Sequence, residues 1–350
     1  MVIASTKKQD KGHKTMRIDW LKRQRLGFSA ILYLFTKWNC SAATMIMCQK
    51  IMNRDEDIVH KAIQGFEGGI LGCGSTCGIA LGGAIGLGLS NDDLLQKNDI
   101  KLDEQIIYLA GKYIKLYEKK ANTTLCSKRS NVNFWSRWGN IKYLILPNNY
   151  IRCAISISDS VKNIFDLKEN KIKVDQTRSL KNNTEPFHCA KTVLEGIRKK
   201  TGIGNDLIER ISIVLDGGVG LQGGACGALT GAIMAVYMKK GLNMNNESLN
   251  GSLKAYFGDR LSHYLSKTKI SNESKHIDFL LDYIKLFKRQ YKSIECDKII
   301  NTKFTGWESF QTHMESSNQC KEIIQLSIDT TSEILNRLNY EKDSTPVLAA

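Results

Sequence analysis

Proline is nearly missing, with three in 350 residues. β-Branched residues are scattered rather than alternating, so a sandwich or barrel is disfavoured and helices are expected. No two cysteines stand in CxxC spacing, which argues against a zinc ribbon or a thioredoxin-like motif, and the absence of CxxCH excludes covalently attached c-type haem. The opening MVIASTKKQDKGHKTMRIDW lacks the apolar core of a secretory signal. With ten cysteines, this places the chain in a reducing compartment, read as the cytoplasm. One uncharged run, Ile70 to Leu89, is long enough for a membrane span, but Gly-Cys-Gly-Ser-Thr interrupts it, and it reads as a buried central helix.

Acid is short relative to base: 50 Lys and Arg against 35 Asp and Glu give a net charge of +15. A cationic chain invites a nucleic-acid partner. Most Lys, however, lie among acids on the polar faces of expected helices, which argues against that partner. The densest basic stretch, Lys7 to Arg25, holds eight Lys and Arg against two Asp and reads as a solvated arm running into a helix.

What the chain does have is an internal repeat. NCSAATMIMCQKIM leads to IVHKAIQGFEGGILGCGSTCGIALGGAIGLGL, and HCAKTVLEGIRKK leads to LIERISIVLDGGVGLQGGACGALTGAIMAVYM. Cys40 falls on Cys189, Gly68 and Gly69 on Gly217 and Gly218, and Cys77 on Cys226, all at an offset of 149. Further on, YIKLYEKKANTTLC recurs as YIKLFKRQYKSIEC, placing Cys126 on Cys296 at an offset of 170. The 21 additional residues of the second copy include ESLNGSLKAYFGDRLSHYLS, which is expected to add a helix. Cys153 and Cys320 begin the last helical segment of each copy, while Cys48 and Cys73 have no counterpart.

The fold class expected is all-α: a tandem repeat of two similar helical units packed with approximate two-fold symmetry, an internal pseudo-dimer that remains a monomer. The divisions are a basic arm over 1–23, a first repeat over 24–170, a second over 171–340 and a tail over 341–350. Small residues crowd the helices that start at Cys77 and Cys226, so these helices are expected to form the contact between units.

The residues resemble the C_GCAxxG_C_C family, marked by four spaced cysteines with the second in Cys-Gly-Ala-x-x-Gly. The second copy fits fully as Cys226-Gly227-Ala228-Leu229-Thr230-Gly231; the first reads Cys77-Gly78-Ile79-Ala80-Leu81-Gly82, with Ile in place of Ala. Family members are usually single copies, so the chain looks like a tandem fusion. The resemblance implies a helical intracellular protein with a redox role, without an assigned reaction or substrate.

The physical case for thiol chemistry is independent of the family. Cys77 and Cys226 stand where a glycine turn enters a helix, and the free amides there favour a thiolate, making these two the expected redox-active cysteines. Cys40, Cys77, Cys126 and Cys153 are expected to converge on one site, and Cys189, Cys226, Cys296 and Cys320 on a second. Each quartet could work by thiol–disulfide exchange or hold a metal centre, an iron-sulfur cluster being favoured over zinc. The competing class is a non-enzymatic metal-binding or scaffold protein, associated with a membrane transporter. Donor and acceptor stay unidentified.

Two rival motifs are weighed. Gly218-Val219-Gly220-Leu221-Gln222-Gly223 fits GxGxxG, but Leu71 replaces the middle glycine in the first copy and no acid follows near the required spacing. A bound anion at the turns of Gly68, Gly69, Gly217 and Gly218 stays an expectation. His188 beside Cys189 could act as a base, yet Asn39 replaces it in the first copy.

Overall fold

The structure, a computed structural model, describes residues 4–136, 138–169, 186–255 and 275–343. It is helical throughout, and among the described residues the only β pairing is two isolated bridges. The first unit comprises α1 (Ala4–Lys37), α2 (Cys40–Met52), α3 (Asp57–Ala62), α4 (Gly78–Ser90), α5 (Asp92–Leu95), α6 (Ile100–Ala121), α7 (Cys126–Ser130), α8 (Gly139–Ile145) and α9 (Pro147–Glu169). The second comprises α10 (Cys189–Thr201), α11 (Asp206–Ile211), α12 (Gly227–Lys240), α13 (Lys275–Tyr291), α14 (Cys296–Ile299), α15 (Trp307–Ser316) and α16 (Asn318–Asp343). The segment expected to form the added helix is helical over 249–255; its remainder, the linker over 170–185 and the tail from 344 lie outside the described residues. The basic stretch from Lys7 to Arg25 lies within α1, whose later turns run along α9.

Each unit is built around its glycine helix, and the small residues explain how. A Cβ on Gly82 would stand 2.9 Å from the Ser41 carbonyl oxygen, and one on Gly231 would stand 2.8 Å from that of Ala190, so α2 and α10 lie almost backbone to backbone on α4 and α12. The last long helix of each unit, α9 or α16, then covers this pair. A buried tyrosine fixes the arrangement in both: Tyr113 of α6 bonds Ser160 of α9 at 2.6 Å, and Tyr283 of α13 bonds Ser327 of α16 at 2.7 Å.

The glycine helices form the contact between the units, as expected, but each meets the 3-10 turn and short helix of the other unit. Their small residues are mostly spent on partners within each unit. Between units, α4 lies on α11 and the 3-10 turn Ser212–Leu215, while α12 lies on α3 and the 3-10 turn Gln64–Phe66. This exchange is reciprocal, as a two-fold arrangement of duplicated units requires. Polar ties join the same surface: Ser75 donates to Glu295 at 2.6 Å, the Ala225 amide donates to Thr76 at 2.8 Å, and Arg210 pairs with buried Asp92 at 2.9 Å. No described helix is long and apolar enough to cross a membrane. The uncharged run ends in α4, of which every residue from Gly78 to Leu89 is buried.

Candidate functional site: two cysteine chambers

The chain brings its cysteines together by helix starts. Cys40, Cys126, Cys189 and Cys296 are the first residues of α2, α7, α10 and α14, and Cys77 and Cys226 are the N-caps of α4 and α12. The second and third cysteines of each unit are joined by backbone. The Cys77 amide donates to Thr124 and the Cys126 amide to Ser75, both at 2.8 Å, around the bridge between Thr76 and Leu125. The Cys226 amide donates to Ile294 at 2.9 Å and that of Cys296 to Gly224 at 2.6 Å around the bridge between Ala225 and Glu295. Cys153 and Cys320 reach in from α9 and α16. Thus Cys40, Cys77, Cys126 and Cys153 line one chamber of about 40 Å³, and Cys189, Cys226, Cys296 and Cys320 line another of about 20 Å³. Neither has room for more than a few waters. All ten cysteines are free thiols, and Cys48 and Cys73 line neither chamber.

Polar groups stand behind the cysteines of the first chamber, whose own lining includes Glu67. Arg129, buried, donates through one terminal nitrogen to the Ala121 carbonyl at 3.3 Å and through the other to the Arg152 carbonyl and the Ser156 hydroxyl, while its Nε has no partner. Burial opposes its charge, and Tyr117 and the thiols of Cys77, Cys153 and Cys126 are the groups around it that favour the charge when ionised. The Tyr117 hydroxyl, also without a partner of ordinary geometry, faces the Cys77 sulfur. Hydrogen bonding from the Cys126 thiol, aided by Tyr117 and Arg129 against the cost of burial, holds Cys77 down to about 6. Its neighbours move the other way. Cys126 is pushed well up by its bond to Cys77 and by burial, Cys40 by burial and the Cys77 charge, and Cys153 to about 11 by burial. One thiol of the four is therefore the ionised one at neutral pH.

The second chamber has an apolar wall. At the repeat offset of 170, Tyr117 becomes Phe287 and Arg129 becomes Ile299; at the fourth-cysteine offset of 167, Tyr143 becomes Phe310 and Ser156 becomes Ile323. All four replacements are buried. Burial pushes Cys226 up to about 11 even though the amides of Leu229 and Ala228 at the start of α12 favour its thiolate. Burial likewise raises Cys189, Cys296 and Cys320. Polar contacts are few at Cys320: the Ser317 hydroxyl bonds it, and His313, whose pKa burial lowers, places Nε2 3.5 Å from its sulfur. A helix N-terminus thus does not suffice to ionise a cysteine here: Cys77 and Cys226, both expected to be redox-active, hold equivalent places, and what stands around them drives their thiols apart.

A family model described as "Putative redox-active protein (C_GCAxxG_C_C)" matches residues 38–164 and again residues 187–334, more than three quarters of the chain. The chain belongs to this family. It carries the C_GCAxxG_C_C unit twice, as a tandem duplication. No curated protein and no solved structure matches it. Where the first C_GCAxxG_C_C unit departs from the motif, Ile79 is fully buried and lines the first chamber, and its amide supports the Cys77 thiolate. The departure leaves the helix start in working order.

Other expectations for the C_GCAxxG_C_C sites fare differently. Among the described residues no three His, Cys, Asp or Glu side chains are grouped closely enough to hold a metal ion. The glycine turns are single turns of left-handed helix: φ is positive at each residue from Gly68 to Gly72 and from Gly217 to Leu221. Glycine is needed there to limit strain. The amides of Ile70, Leu71, Gly72, Gly74 and Ser75 are taken by carbonyls of residues 65–69, and the Gly68 amide supports Cys40. The amides that follow the paired glycines Gly68 and Gly69 are thus bonded within the turn, and the turn after Gly217 and Gly218 repeats the pattern through Val219, Gly220, Leu221, Gly223 and Gly224. His188 is bound to Asp216 at 2.7 Å through Nδ1, and Asp216 also accepts the Cys189 amide at 2.8 Å, so the pair closes the start of α10. Sequence reasoning missed Arg129, Tyr117, Tyr143 and Ser156. The signal was present in the aligned copies, as positions that change while the cysteines do not.

Proposed function

We propose that the first quartet is a thiol–disulfide centre in which Cys77 is the nucleophile and Cys126 the resolving thiol. The observation that carries this reading is Arg129, a buried guanidinium beside the Cys77 thiol, which its charge helps to hold ionised. A buried cation is costly unless an anion faces it, and a Cys77 thiolate supplies one. In the reaction the chamber, which at rest holds only a few waters, opens to a substrate disulfide; the Cys77 sulfur attacks one of its sulfurs, the S–S bond breaks, and the departing thiolate takes a proton. Cys126 then gives up its proton and attacks the Cys77 sulfur, forming the internal disulfide and releasing the second substrate thiol. Two electrons pass to the substrate, and an external dithiol returns them. The second quartet, whose nearest cation, the His188 imidazolium, is held by Asp216, stays protonated and serves as packing. Ten free thiols and this chemistry fit a cytoplasmic setting.

Thiolate ultraviolet absorbance against pH tests the reading. Wild type should show a one-thiol titration near pH 6, absent in Cys77→Ser and moved upward in Arg129→Leu. If no thiol titrates below the ordinary range of about 8 to 9, the proposal is wrong.

A further inference from the structure

Exposed apolar side chains are concentrated on one part of the molecule. Of the fourteen large hydrophobic side chains that are exposed among the described residues, five lie on α1 between Trp20 and Phe35 and five lie between Trp138 and Ile155. These segments adjoin: α1 runs antiparallel to α9, with Arg23 paired to Asp166 at 2.9 Å and the Phe35 ring 4.5 Å from that of Tyr150. On α1, Leu21, Phe28, Leu32 and Phe35 recur at helical spacing on the side away from buried Ala30 and Leu34; on α9, Ile151 and Ile155 are exposed one turn apart. Phe28 is 63% exposed and Trp138 67%. Side chains of this size in water ask for a cover.

The charge around the patch tells what kind. Neither 20–37 nor 138–158 contains an Asp or Glu, whereas they carry exposed Lys22, Arg25, Lys142 and Arg152, besides Arg23, which Asp166 pairs, and Lys37, which is buried. Arg25 stands on the apolar stripe itself, between Leu21 and Phe28. The same helix continues upstream through the rest of the basic stretch, which brings the cations of Lys7 to Arg25 to eight against two Asp. Phe, Leu and Trp interleaved with Lys and Arg, on a helix that is not a membrane span, is the composition of an interfacial helix. We propose that the face of α1, with the adjoining face of α9 and α8, docks the protein peripherally on an anionic lipid bilayer. The opposite side of this wall is the first chamber, which Leu34, Trp38 and Tyr150 line. Docking therefore sets the first quartet just behind the lipid-facing helices. The proposal does not depend on the redox reading.

Flotation of the full chain with vesicles tests it, comparing phosphatidylcholine alone with phosphatidylcholine containing phosphatidylserine. The protein should float with the anionic vesicles at low salt and be released as salt screens the cations. Phe28→Ser with Leu32→Ser should weaken binding by about tenfold or more, since each side chain loses its apolar burial in the interface. Both positions are exposed, so the fold should survive, which unchanged circular dichroism checks. Ile151→Ser with Ile155→Ser should weaken binding independently. Absence of binding to anionic vesicles, or equal binding by both double variants and wild type, overturns the proposal. So does light scattering that shows a dimer broken by Phe28→Ser with Leu32→Ser, since the face would then belong to a second copy.

Discussion

Cys77 and Cys226 occupy the same place at the start of equivalent helices, and their thiols are driven in opposite directions, to about 6 and about 11. A helix terminus is worth roughly 0.3–1 kcal/mol to a nearby charge when exposed, while one pKa unit is about 1.4 kcal/mol, so burial overrides the terminus unless side chains add to it. In the first unit the Cys126 thiol, Tyr117 and Arg129 do so; in the second Cys296 keeps the place of Cys126, but Phe287 and Ile299 stand in place of Tyr117 and Arg129. The sequence made the cysteines legible because duplication preserved them. It hid the cation, because a single Arg among many basic residues carries no mark until the fold buries it. Stability should follow. A thiol held lower when folded than when unfolded adds stability that is full above its unfolded value near 8.5 and is lost as pH falls through 6. The melting temperature of wild type relative to Cys77→Ser should therefore decline between those limits, and a pH-independent difference would show that Cys77 is not ionised in the folded state.

The glycine helices were legible as elements, from spacing and from the turn before them, but their partners were not. Small residues announce that a backbone comes close without saying which one, and here it is mostly that of α2 or α10. Gly86 shows the local rule. A Cβ there would stand 2.4 Å from the Cys48 sulfur, and Cys48 is fully buried with its thiol pushed up to about 12 by desolvation. Cys48 thus reads as a packing residue. Gly86→Ala should cost about 1–3 kcal/mol by overpacking. Adding Cys48→Ala should recover part of that loss, because the new methyl group occupies the space the sulfur leaves. Denaturant unfolding of the two single variants and the double variant measures the coupling, and strictly additive losses would mean the two positions do not share the site.

Across the whole molecule, reciprocal packing makes each unit part of the core of the other. Chains cut between residues 170 and 186 should stay associated as a one-to-one pair after purification, and neither half should show cooperative unfolding alone; monomeric, cooperatively folded halves in light scattering and calorimetry would contradict this. A polar link spans the same surface. His188 sits between Asp216 of its own unit, at 2.7 Å, and Asp103 of the other, at 3.5 Å. Burial opposes its charge, but the two carboxylates outweigh it and raise the imidazole to about 9. Asp216 is itself raised, by burial, despite the imidazolium. A raised imidazole contributes stability that is full below its unfolded value near 6.5 and is lost as pH rises through 9. Unfolding of His188→Asn, which copies Asn39 of the first unit, should lack that decline.

The central claim is that a duplicated chain keeps one reactive cysteine quartet and one silent one. Disulfide mapping by mass spectrometry, after equilibration of the folded protein with a graded series of reduced and oxidised glutathione, tests it directly. The account predicts a bond between Cys77 and Cys126 as the first to form, with Cys189, Cys226, Cys296 and Cys320 still reduced. Oxidation of the second quartet at the same potential, or a first bond that leaves out Cys77, would contradict it.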